Sequence, residues 1–262
     1  MLEPIKAAFG QFMGRYYDSL VPTTRPLERY VTRGLERSIA WAPSRMVDMA
    51  EEMLSQWLRA EQPGPATKPP ELPAIMVAMA KDYTPTGRDY TRQVADRVLV
   101  MIPGDPKERL FGLRAMAGDI RAQVVIFATD EPSARSLAAQ FLLFLDATEN
   151  RRFTATHRFA GLDNPWPVQV ESPDAPAMSI ANEAKNLTVL AIDITLRAEI
   201  PLYDAPAVGQ PNDGKGAPGT DDPAGYPLAQ HITIASAAGD GSGGTSPLGS
   251  FEVGEPGQED AP

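Results

Sequence analysis

Between Asn186 and Tyr203 the chain reads NLTVLAIDITLRAEIPLY, and its apolar and polar residues alternate. Leu190, Ile192, Ile194, Leu196, Ala198 and Ile200 fall on one side of a two-residue repeat, with Asp193, Thr195, Arg197 and Glu199 on the other. This is the pattern of a strand with one buried face. At about 3.3 Å per residue it runs roughly 50 Å, far beyond an ordinary strand of about 5–6 residues.

Helical spacing governs other stretches. In LEPIKAAFGQFMGRYYDSL, Ile5, Ala8, Phe9, Phe12, Met13 and Tyr16 line one side, and Pro4 sits where a helix begins. Gly10 and Gly14 have the GxxxG spacing, but Lys6, Gln11 and Arg15 among them argue against a membrane dimer. VPTTRPLERYVTRGLER, broken by Pro22 and Pro26, is open between a short helix and a pair of strands. SIAWAP reads as a short strand. Ser44 then caps a helix over RMVDMAEEMLSQWLRAE, whose methionine stripe reads as core packing rather than a binding surface. QPGPATKPPE is a proline-rich link.

Strands are expected in LPAIMVAMAKDY, in DRVLVMIPGDPKERLFG up to a turn at Pro103–Pro106, and in RAQVVIFAT. Asp130 as N-cap and Pro132 in the first turn start a helix over EPSARSLAAQFLLFLDA, with Ala134, Leu137, Ala138, Phe141, Leu142 and Leu145 facing the core. RRFTATHRFAG and WPVQVES are further strands ahead of the long one. The order lacks a regular strand–helix alternation, so the expected class is α+β. One mostly antiparallel sheet with one long strand carries the Glu131–Ala147 helix on its apolar face, with N-terminal helices beside it. Three segments follow: a helical region with a short strand over 1–62, an α+β core over 63–203, and a tail over 204–262.

Charge sharpens that last boundary. The chain's net charge is −10, and from Asp204 onward nine acids face one base, Lys215, a net of −8 that leaves −2 for residues 1–203. The acidic, Pro- and Gly-rich tail is expected to be disordered, apart from a strand-like island in LAQHITIAS at 228–236. That island can fold back on its own domain or add to a sheet edge elsewhere. A near-neutral body has no basic footprint for reading nucleic acid. Neither a signal peptide nor a span of about 18 apolar residues is present, so no membrane role is expected.

Candidate chemistry is thin. The chain has no cysteine and two histidines, His157 in an alternating segment and His231 in the tail, so no zinc site is expected. IPGDPKE lacks the GxxxxGK[ST] cradle, and no GxSxG elbow occurs. Glu51–Glu52 and Asp130–Glu131 lie at helix surfaces and starts, and Arg151–Arg152 complement a helix C-terminus. No enzyme activity and no cofactor are expected.

The order of segments, carried by FMGRYYDSL, SIAWAPSRMVDMAEEMLSQWLRA, LPAIMVAMAKDYTPTGRDY, VVIFATDEPSARSLAAQFLLFL and IDITLRAEIPLY, resembles the tail sheath stabiliser and completion proteins, or tail terminators, of contractile-tailed bacteriophages. The resemblance spans most of residues 1–203. It implies a virion protein at the head–tail junction, made in the host bacterial cytoplasm. Such a protein is a six-fold homo-oligomeric ring that caps the tail tube and sheath and meets the neck or head-connector proteins. DNA passes its bore without sequence-specific binding. Under this reading Leu228, Ile232 and Ile234 are the expected partner-strand contacts, and Asp193, Thr195, Arg197 and Glu199 the polar face at a subunit boundary. A soluble adaptor engaging a basic partner through the acidic tail, or another neck or baseplate component, is the alternative.

Overall fold

The computed structural model describes residues 2–42, 72–85, 94–106, 109–171, 174–181, 186–205, 232–235 and 247–251. Helices and a large mixed sheet make an α+β fold. By contacts the chain divides into two units, Met1–Val100 with Gly112–Asp204, and Met101–Phe111 with Ala205–Pro262. The helix expected over RMVDMAEEMLSQWLRAE and the proline-rich link lie outside the described residues.

In the first unit, α1 (Glu3–Asp18) has Pro4 in its first turn and buries Ile5, Ala8, Phe9, Phe12, Met13, Tyr16 and Tyr17. The segment left open between helix and strands forms two helices, α2 (Arg25–Thr32) and α3 (Leu35–Ser38). Pro26 lies in the first turn of α2, where its missing N–H removes no helical bond, so it starts the helix rather than breaking it. Tyr17 Oη ties α1 to α2 by donating to the Tyr30 and Val31 carbonyls, each at 2.8 Å. In α4 (Glu131–Asp146) the Asp130 carboxylate accepts from the Ser133 backbone N–H at 2.8 Å, the expected N-cap.

The strands are β1 (Ile39–Trp41), β2 (Ala74–Met79), β3 (Thr84–Pro85), β4 (Val94–Met101), β5 (Leu110–Ala128), β6 (Arg152–Phe159), β7 (Leu162–Val170), β8 (Ala177–Ser179) and β9 (Thr188–Asp204). The main order is β1-β2-β5-β9-β7-β6, with β3 and β4 also on β5 and β8 on β9. β1 runs parallel to β2, whereas β2, β3 and β9 pair antiparallel with β5, β7 and β8 with β9, and β6 with β7. RAQVVIFAT is only the second half of β5, a 19-residue strand. β5 and β9 pair without a break from Gly112↔Asp204 to Ala128↔Thr188.

That ladder fixes two faces. Even-numbered residues of both strands, among them Ile120, Val124, Ile126, Ile192 and Leu196, share a core with α1, α2 and α4. Phe12 sits at its aromatic centre, with the rings of Phe9, Phe141, Phe144 and Phe153 at 5.1–6.4 Å. Tyr16 Oη donates to the Leu137 carbonyl at 2.8 Å, and burial pushes its phenol pKa well up. A smaller apolar cluster on the opposite face gathers Ala74, Met76, Ala78, Val125, Phe127, Val189 and Ala191.

In the second unit Asp105 closes the turn expected at Pro103–Pro106, accepting from the Arg109 backbone N–H and side-chain Nε, both at 2.9 Å. Gly104 supplies the φ of +82° that this turn needs. The island at 228–236 contributes β10 (Ile232–Ala235), which pairs antiparallel with β11 (Pro247–Phe251). β11 lies in sequence expected to be disordered. Its Pro, Gly and Ser content hides a strand that depends on pairing.

Two outcomes test this packing. Phe12→Ala removes the ring that four others surround and is expected to cost about 3–5 kcal/mol in denaturant unfolding. The β6–β7 turn has two residues, Ala160 (φ 53°) and Gly161 (φ 83°), between the paired Phe159 and Leu162. Such a turn favours Asn-Gly, so Ala160→Asn is expected to stabilise the chain by up to about 1 kcal/mol in the same assay.

Candidate functional site

The polar row expected at a subunit boundary lies on the face of β9 away from the helices, and all four residues are half-buried. β5 supplies partners for two of them. The Gln123 amide donates to Asp193 at 3.0 Å. Arg197 reaches Asp119 across the ladder at 3.3 Å and Glu171, just past the end of β7, at 2.7 Å. Thr195 stands opposite Arg121, and Glu199 opposite Ala117. Among the tail residues named at sequence level, Ile232 and Ile234 lie in β10, Ile232 opposite Phe251. Leu228 lies outside the described residues.

The structure adds a constellation that was not read from the sequence. β7 pairs with β9 only from Val168↔Ala198 to Val170↔Leu196. Pro165 and Pro167 precede that stretch, and a proline has no N–H for the ladder, which accounts for its end. Aromatic contacts take over there. Tyr203 stacks on Phe159 at 5.1 Å, and Trp166 Nε1 donates to Tyr203 Oη at 3.2 Å. An open depression of about 540 Å³ beside them is lined by Arg114, His157, Arg158, Phe159, Tyr203 and the carboxylate-bearing Asp204, among others. It sets two exposed guanidinium groups and one carboxylate next to a stacked aromatic pair, chemistry that holds planar groups by stacking. The spacing of Arg114 from Arg158 in sequence hides the cluster. Only the β5–β9 and β6–β7 registers bring it together.

His157 is buried opposite Asn164, and its Nε2 has no hydrogen-bond partner. Burial lowers its pKa, so the ring is neutral at pH 7 and leaves the positive charge to the arginines. Among the described residues no group of three or more His, Cys, Asp and Glu could hold a metal ion, and no helix is long and apolar enough to cross a membrane.

An α+β sheet protein with a polar ladder and an arginine–aromatic end is the class that fold and site define. No family model matches the sequence, and none of the curated proteins matches it.

His157 gives a pH test. The unfolded chain binds a proton at the ordinary histidine value of about 6.5, and the folded chain binds it only at lower pH. Stability from this group is therefore complete above about pH 6.5 and declines as pH falls below it. The thermal midpoint is expected to drop between pH 7.5 and 5.5, and to drop less in His157→Gln. Parallel curves for the two proteins would remove His157 from the transition.

Proposed function

We propose that this chain is a structural subunit of the neck of a contractile-tailed phage, one copy of a ring that caps the tail tube and sheath and joins the tail to the head connector. The observation that carries this reading is the mismatch between sheet and helices. β9 has 17 residues and α1 and α4 have 16 each. At about 3.3 Å per strand residue and 1.5 Å per helical residue, the ribbon runs roughly 55 Å and each helix about 24 Å. A sheet twice as long as its cover exceeds what one globule needs and suits joining to neighbours. The order of segments in residues 1–203 supports the same reading. A body with a net charge of −2 suits a bore that lets DNA slide without gripping it.

The acidic tail, with its net charge of −8, favours a second reading, an adaptor that engages a basic partner. The two differ in assembly. In the ring reading, light scattering after size exclusion gives a discrete oligomer, and negative-stain images show closed rings with a central bore, six-fold by the resemblance. The ring reading also expects Ile232→Pro with Ile234→Pro to leave the body folded and weaken docking to sheath or neck. A monomer that fails to join preformed tail tubes, and whose binding to basic proteins disappears with added salt, overturns the ring reading in favour of the adaptor.

A further inference from the structure

Among the described residues five strands of the large sheet have an open side: β1, β3 and β4 on the β5 side of the ladder and β6 and β8 on the β9 side, of which β4 and β6 are the longest. Edge strands of stable monomers are guarded by charge, proline or a bulge. In β4, next to the charged Asp96 and Arg97, the adjacent residues Val98 and Leu99 are 46% and 60% exposed, and adjacent strand residues point to opposite faces. The β4 edge therefore presents apolar side chains on both faces.

We propose that β4 of one copy adds to β6 of the next, so that one sheet passes head to tail from copy to copy. The proposal rests on the ring reading and names its interface. Both edge strands have eight residues. They lie on opposite sides of one sheet, so each copy offers one of each and the contact repeats, as a heterologous ring requires.

The faces also match. The Arg97 side chain lies across Gly112, in the space a Cβ there would occupy, and it reaches Asp204 at 3.3 Å. Gly112 is on the helix side of the ladder, so Arg97 and Leu99 are on that side and Asp96 and Val98 on the other. On β6, Ala155 belongs to the helix-side core, which places the exposed Arg152, Thr154, Thr156 and Arg158 on the other side. A continued sheet therefore sets Asp96 and Val98 beside that row. Because arginines stand at both its ends, Asp96 meets a guanidinium whether the two strands run parallel or antiparallel. On the helix side, Leu99 meets Ala155 and the half-buried Phe153.

The chain has no cysteine, so introduced thiols report this contact alone. Full-length Val98→Cys is mixed with full-length Thr154→Cys or Thr156→Cys and oxidised. Neighbouring strands lie about 4.8 Å apart, within the Cα range of about 4.4–6.8 Å that a disulfide spans. The expected result is a disulfide-linked pair containing one of each variant in at least one mixture, and no dimer from any variant alone. Closed rings without such a pair overturn the edge assignment and leave the ring reading intact. Dimers of Val98→Cys alone overturn it in favour of two β4 edges face to face. Mixed pairs in open filaments uphold the edge assignment and overturn the ring. The absence of any oligomer, both alone and with preformed tail tubes, overturns both.

Discussion

The pairing of β5 with β9 is the constraint on which the rest of the molecule depends. Seventeen consecutive residue pairs join segments 60 residues apart at one end of the ladder and 92 at the other. β2, β3 and β4 hang on one side of it, β7 and β8 on the other, and its helix-side row makes the floor on which α1, α2 and α4 pack. The helices and the β6–β7 turn are local structures. The ladder is not, and the entropy of closing its long loop is offset only as pairs accumulate along both strands.

A ladder of this length needs its register fixed, because a slip of one residue would turn every core side chain to the wrong face. The apolar row supplies most of that selection. The opposite face adds a polar check, since Gln123 meets Asp193 and Asp119 meets Arg197 directly across the ladder, with Glu171 closing on the same guanidinium. Asp193 and Arg197 thus have work inside their own chain, whereas Thr195 and Glu199 stand opposite Arg121 and Ala117.

Legibility in the sequence followed the two-residue period. β9 could be read because from Leu190 to Ile200 its helix-side row is apolar and all buried, while Asp193, Thr195, Arg197 and Glu199 alternate with it. The first half of β5 could not. In LFGLRAMAGDI, small residues occupy both faces, with Ala115, Ala117 and Ile120 all buried, so no alternation marks it. Two prolines obscured α2 because a proline's meaning depends on whether it opens a helix or interrupts one. The arginine–aromatic end was illegible for another reason: its members are separated by more than 40 residues, and only the registers of three strands bring Arg114, Arg158 and Tyr203 around one depression.

The same length that secures the ladder also creates the molecule's exposed edges. Helices of about 24 Å cannot cover a ribbon of roughly 55 Å, so its far end is finished by other means. At β9, two prolines in β7 end the pairing and aromatic rings close over Tyr203. At β4 neither proline nor aromatic rings close the edge; the charged Asp96 and Arg97 stand beside Val98 and Leu99, which remain in solvent. An edge with exposed apolar residues on both faces is a liability for a protein that stays single, because it can pair with anything extended. It suits a protein whose copies meet in one fixed order, because each open edge then has one partner to find.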